Sequence, residues 1–195
     1  MVRLMALARG RPRSTTIDSA VRDAVMAALA HHGYAAMTVD GVARDAGVAK
    51  TAIYRRWPSK AEMVFASAIH GSEIAAPVDR GDLRGEVTAL VERIVELIAA
   101  PAVRGCLPAL LADVRANPQI AERFRTSMIV PERAVVTTIV TRAARRGELR
   151  DGVDPDDVHA HVLGMVFAWV HLIDDRTTED FTRRTIRSVL AAMEA

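Results

Sequence analysis

A chain of 195 residues, 50% hydrophobic and 26% charged, is long enough to bury a sizeable core and too apolar to be a disordered tail. Its one cysteine, Cys106, excludes an internal disulfide framework and a Cys-based metal site, and fits a reducing cytoplasm. The net charge of +2 divides unevenly, ten Lys or Arg against four Asp in residues 1–60 (+6) and sixteen Arg against twenty acids beyond (−4), the footprint of a nucleic-acid-binding end joined to an acidic partner domain.

Apolar residues recur at three-and-four spacing and never alternate over a strand's length, so the fold class is all-α, with nine helices expected. Residues 1–13 form a basic arm with too short an apolar run for a signal peptide. Within it, Arg9-Gly10-Arg11-Pro12-Arg13 resembles the core of an AT-hook, whose arginines enter a narrow minor groove; the same run also reads as a solvated arm that adds only phosphate attraction. Ser14 or Thr15 caps a first helix with Ile17, Val21, Ala24, Val25, Ala28 and Leu29 on one stripe, ended at Gly33. His31 and His32 suit its last turn as capping or solvated residues.

The most informative stretch is 38–60, TVDGVARDAGVAKTAIYRRWPSK. Thr38 caps a helix with Val39, Val42 and Ala43 on one face, and Gly47 supplies the left-handed turn into a second helix. That helix turns Ala52, Ile53 and Trp57 to the core. Lys50, Thr51, Tyr54 and Arg55 remain outside, a cationic, hydrogen-bonding face suited to a major groove; Arg56 is ambiguous. Pro58 stops the helix, and Ser59 with Glu62 forms a capping box that leaves Lys60 in the next helix's first turn.

The run Thr38…Ala46-Gly47-Val48-Ala49-Lys50-Thr51…Tyr54-Arg55-Arg56-Trp57-Pro58-Ser59-Lys60 resembles the helix-turn-helix of the TetR family of one-component bacterial regulators. Carried over residue by residue, the resemblance implies phosphate anchors at Thr38, Tyr54 and Lys60 and base or mixed contacts at Lys50, Thr51 and Arg55; Arg44, on the exposed side of the first motif helix, is a weaker phosphate candidate. Two residues depart from the family pattern. Ala49 stands where Ser or Thr is frequent, and Gly41 sits inside a helix at a cost of about 1 kcal/mol relative to Ala. The resemblance further implies a DNA-binding domain over 14–60, a regulatory domain over 61–195, a homodimer, and a repressor released from a palindromic operator by a small hydrophobic or amphipathic effector. An architectural DNA binder without a ligand, and a regulator whose C-terminal half docks another protein, are the alternatives.

Beyond residue 60 a fourth helix carries Ala61, Val64, Phe65, Ala68 and Ile69, and a fifth carries Leu83 to Ile98 and stops before Pro101. Pro108 either kinks the sixth helix or begins it. Asn117-Pro118 and Asp154-Pro155 are caps followed by first-turn prolines, and Pro131 bends the long seventh helix. Irregular packing beside that bend is where a ligand cavity is expected, with Phe124, Met128, His161, Met165 and Trp169 as its candidate lining. Residues 158–173 are apolar on almost every face, too short and too closely bracketed by Asp for a membrane span. Their small residues Ala160, Gly164 and Ala168, with Ile186 and Leu190 of the last helix, are the expected dimer seam. His159 and His161, two apart, point different ways on a helix and do not share a metal ion. No cofactor motif, and no nucleophile with a base or paired carboxylates of an enzyme, is legible.

Overall fold

The computed structural model describes residues 12–69, 78–173 and 177–195, with side chains from residue 16 on. Among these residues the chain is all-α, and its helices begin where the sequence supplies caps. Helix α1 (Pro12–Ala36) is interrupted at Gly33, whose φ of 70° leaves the helical path before Tyr34 turns inward to 5% exposure. His31 and His32 stay solvated. Helix α2 (Val39–Asp45) starts at Thr38, whose hydroxyl accepts from the Gly41 N–H at 3.1 Å. A Cβ on Gly41 would meet that hydroxyl oxygen at 3.2 Å, so the glycine inside the helix keeps room for the cap. Gly47, at φ 65°, turns the chain into α3 (Lys50–Arg56).

Ser59 accepts from the Glu62 N–H at 3.1 Å while its hydroxyl donates to the Glu62 carboxylate, a capping box closed through the hydroxyl. It opens α4, the α-helical turns Lys60–Val64 followed by a π turn, Phe65–Ile69. Helix α5 (Leu83–Ala99) starts at the Asp82 cap, and α6 (Pro101–Ala116) runs unbroken through Pro108. Pro101 takes the first-turn position, and Pro108 lies on the exposed face of the helix.

Helix α7 begins at the Asn117 cap as Pro118–Phe124, widens into a π turn at Arg125–Ile129, and continues as Val130–Arg146 to a left-handed Gly147. The bend expected of Pro131 takes the form of that π turn. Proline has no N–H to offer the preceding turn, which widens instead, and Ser127 Oγ donates to the Arg123 carbonyl at 2.7 Å inside it. Helix α8 is Pro155–Ala168 with a π turn at Trp169–Ile173, and α9 is Thr178–Met193.

Helix α1 lies along α6, α5 packs on α9, and α7 pairs with α8. One continuous apolar cluster results: Val21, Val25 and Ile53 belong with Met63, Leu110, Val136, Val162 and Leu190, so the core crosses residue 60, the expected boundary. Glu86 of α5 is fully buried and held by Arg142 at 3.3 Å and Arg146 at 3.1 Å, both from α7. One chain covers only part of α8. Ala160 and Gly164 face solvent, Ala168 and Ile186 are half-buried, and Leu172 and Ile173 are 76% and 58% exposed. Leu190 is a correction: it is 2% exposed within the protomer itself, because the strongly amphipathic α9 turns it into the core beside Val189. Among the described residues no single helix is long and apolar enough to cross a membrane.

Candidate nucleic-acid interface and ligand cavity

Two short helices meeting at Gly47 put the polar residues of α3 on one solvent face. Ile53 anchors the helix in the core at 0% exposure, while Thr51, Tyr54 and Arg55 are exposed. Lys50 Nζ pairs with Asp40 in the first turn of α2 at 2.7 Å, and that hydrogen bond pushes its ammonium above the ordinary lysine range. Arg44 is exposed and pairs with its neighbour Asp45 at 3.1 Å. Thr38 stands exposed at the edge of this face, its hydroxyl oxygen accepting the α2 cap bond and its hydrogen left to donate.

Two cations of the motif face inward. Arg56, ambiguous in the sequence, ties α3 to α1 through Asp18 at 2.9 Å. Lys60 was expected to be a phosphate anchor, yet its Nζ donates to the Ala35 carbonyl at 3.3 Å and lies 4.4 Å from the Tyr34 ring centroid. Desolvation there lowers its pKa, and one of its three donors is committed to the end of α1. Arg9 and Arg11 lie outside the described residues.

In the body, α4 to α8 line a partly open apolar cavity of about 320 Å³, with the exposed Gly164 among its lining residues. Phe124 and Met128, two of the expected residues, line it together with Leu107, Leu111, Leu163 and Phe167. His161, Met165 and Trp169 do not. They lie on the face of α8 that meets α9: His161 Nε2 bonds Ser188 Oγ at 3.1 Å, and Trp169 stacks on Phe181 with ring centroids 4.2 Å apart and 6° between planes. Met165 and Trp169 border an open surface depression on that side. The correction has a simple cause, for both faces of α8 are apolar and only its neighbours decide which one meets the cavity. Glu132 lines the cavity as well, and its Oε2 lies 3.2 Å from Nε2 of the buried His159. Sequence patterning missed this pair, which is brought together from two helices 27 positions apart. Cys106 is 1% exposed, and burial pushes its thiol up to about 11, so it stays protonated and inert at neutral pH.

The cavity and the reading head share a wall. The Phe124 ring packs on Phe65 of α4 with centroids 4.7 Å apart, and Phe124 also borders a second hollow, about 380 Å³, between Trp57 and Pro58 of the head and Ile120 and Arg123 of the body. Glu62, just past the head, pairs with Arg123 at 2.7 Å, and Tyr34 Oη donates to Asp113 Oδ2 at 2.5 Å. Burial and the Asp113 hydrogen bond raise the Tyr34 pKa.

Residues 21–67 match a family model described as bacterial regulatory proteins, tetR family, and residues 77–189 one described as tetracyclin repressor-like, C-terminal domain. A helix-turn-helix-type transcriptional regulator of Mycobacterium bovis is 34% identical over 131 residues, 67% of this chain; the match spans 64% of that relative's length. A DNA-binding transcriptional repressor of Mycobacteroides abscessus is 30% identical over 156 residues, 78% of this chain and 79% of that protein. Among solved structures, a TetR family transcription regulator superposes with a TM-score of 0.71 at 25% identity, over 90% of this chain and 97% of that one. The regulator FadR of Bacillus subtilis, solved in complex with stearoyl-CoA, shares the fold with a TM-score of 0.66 at 15% identity, over 89% and 98% of the two chains.

Proposed function

We propose that this chain, which belongs to the TetR family of bacterial transcriptional regulators, is a cytoplasmic homodimeric repressor that leaves a palindromic DNA operator when a small hydrophobic or amphipathic molecule fills its regulatory cavity. The observation that carries this reading is the position of Phe124, at once a wall of the cavity and a packing partner of Phe65 in the helix that leaves the reading head. A ligand that displaces Phe124 displaces the head. The rival without a ligand, an architectural DNA binder, offers no reason for an apolar cavity built against that helix.

In this reading Lys50, Thr51 and Arg55 meet base edges, while Thr38, Tyr54 and Arg44, with the remaining donors of Lys60, hold phosphates; Arg9 and Arg11 of the N-terminal arm add minor-groove or phosphate contacts. One helix of seven residues reads few bases, so specificity needs two heads about 34–36 Å apart on successive turns of the groove. The exposed line Ala160, Gly164, Ala168 and Leu172 on α8, with Ile186 of α9 beside it, is the surface that supports a two-fold partner.

The test is a thermal-shift screen of small apolar compounds, followed by fluorescence anisotropy on the DNA flanking the coding sequence. A compound that raises the unfolding midpoint is expected to weaken operator binding, and Phe124→Ala is expected to leave ligand-free operator binding intact while blunting that response. Stabilising compounds that leave operator affinity untouched would overturn the ligand-released mechanism.

A further inference from the structure

The polar chemistry of the regulatory cavity is concentrated at one point. Glu132 is the single polar side chain among its fourteen lining residues; the others are aliphatic, aromatic, Met128 and Gly164. Its side chain is 14% exposed, and its carboxylate bonds the imidazole of His159, whose side chain is 8% exposed. A carboxylate only accepts hydrogen bonds, through roughly four lone-pair positions, and one imidazole N–H fills one of them. An ionised carboxylate against an apolar hollow is unfavourable unless further donors or a cation compensate it. The charged groups nearby are directed elsewhere. Arg133 pairs with Asp156, and His171, whose ring centroid lies 4.6 Å from that of Phe167, is not among the residues that line the cavity.

We infer that the effector is an apolar molecule carrying one protonated amine, its ammonium bonded to Glu132 and its hydrocarbon body against Leu107, Phe124, Leu163 and Phe167. This rests on the reading of the cavity as the effector site and adds the ligand's chemical class. A monocation neutralises the carboxylate and donates to its free lone pairs. A neutral alcohol donates but leaves the charge, and a carboxylic acid ionised at neutral pH sets a second negative charge into the same apolar hollow. The volume of about 320 Å³ sits at the small end of ligand pockets, which suits a compact aryl-alkyl or alicyclic amine.

Three compounds on one skeleton test it: phenylbutylamine, phenylbutanol and phenylbutanoate, titrated calorimetrically into the full chain near neutral pH. The amine is expected to bind about tenfold or more tightly than the alcohol, with the acid weakest, and to weaken operator binding as it does so. Glu132→Gln, which keeps an oxygen acceptor for His159, is expected to bring the amine down to the level of the alcohol and to leave the alcohol within about twofold. If Glu132→Gln fails to fold, the ranking in the unaltered protein decides alone. Equal binding of the three compounds, or an amine preference that survives Glu132→Gln, overturns the amine assignment and leaves the cavity reading standing. Binding by none of the three, or binding that leaves operator affinity unchanged, overturns both.

Discussion

Lys50 is held by Asp40 across 2.7 Å in the free protein, with both side chains substantially exposed. An exposed pair of this kind contributes roughly 0–1 kcal/mol to stability, so Asp40→Asn should barely move the unfolding midpoint. It removes a negative charge from the face offered to DNA and frees Lys50. Operator affinity at low salt should therefore rise, by about three- to tenfold, as measured by anisotropy; an unchanged affinity would take Lys50 out of the contact set. Tyr34 makes a pH-dependent contribution. Its pKa is raised in the folded chain by burial and the Asp113 hydrogen bond, against an ordinary value of 10.0, so its contribution is fully present below pH 10 and is lost as pH rises beyond it. The wild-type midpoint should fall steeply above pH 10. Tyr34→Phe should lower it at neutral pH by the equivalent of about 1–2 kcal/mol and flatten the alkaline fall; parallel pH profiles for the two proteins would refute the assignment.

Helices of the body are joined by groups that no local pattern reveals. Glu86 on α5 is fully buried and bridges Arg142 and Arg146 of α7, while Arg146 also holds Glu148 at 3.0 Å and Asp79 at 3.4 Å. Removing one member of a buried ionic cluster leaves the others uncompensated. Glu86→Gln should cost about 3 kcal/mol in urea unfolding, whereas Arg84→Ala, which breaks an exposed pair with Glu194 on the far side of the same turn, should cost less than about 1 kcal/mol. Equal losses in the two variants would mean the cluster contributes no more than a surface pair. The π turns at Phe65–Ile69 and Arg125–Ile129 belong to the same scale: the first carries Phe65 to the wall shared with Phe124, the second places Met128 and Ile129 in the cavity.

For the whole molecule, the exposed line along α8 decides whether two heads can act together. Leu172 is 76% exposed and does not line the cavity, so Leu172→Arg leaves the protomer's core and effector site alone. If this face joins two copies, the variant should sediment as a folded monomer, with an unfolding midpoint little changed at high dilution. Its operator affinity should fall by about a hundredfold or more, because a single head reads only half a site. A dimer that binds its operator normally would assign this face to something else.

The sequence by itself determined the reading head and the punctuation of the body. Caps at Thr38, Ser59, Asn117 and Asp154, the left-handed Gly47 and the breaks at Gly33 and Pro58 act on neighbours a few residues away, so the chain carries their effect in the order of its letters. The outward face of α3 followed for the same reason: Ile53 had to be buried, and a helix of seven residues then leaves few choices for Thr51, Tyr54 and Arg55. Tertiary structure alone decided which cations of the motif face inward. Arg56 and Lys60 find their partners, Asp18, Ala35 and Tyr34, on a different helix. It also decided the lining of the cavity. With apolar residues on every face of α8, periodicity could not choose between the side of His161, Met165 and Trp169 and that of Leu163 and Phe167; the choice fell to the packing of α9 on one side and of α5 and α7 on another. Glu132 and His159 meet only because two helices cross, and Leu190 lies in the core only because α9 docks with that face inward. Contacts between distant segments depend on helix orientation, a property of the packed chain and not of any window along it.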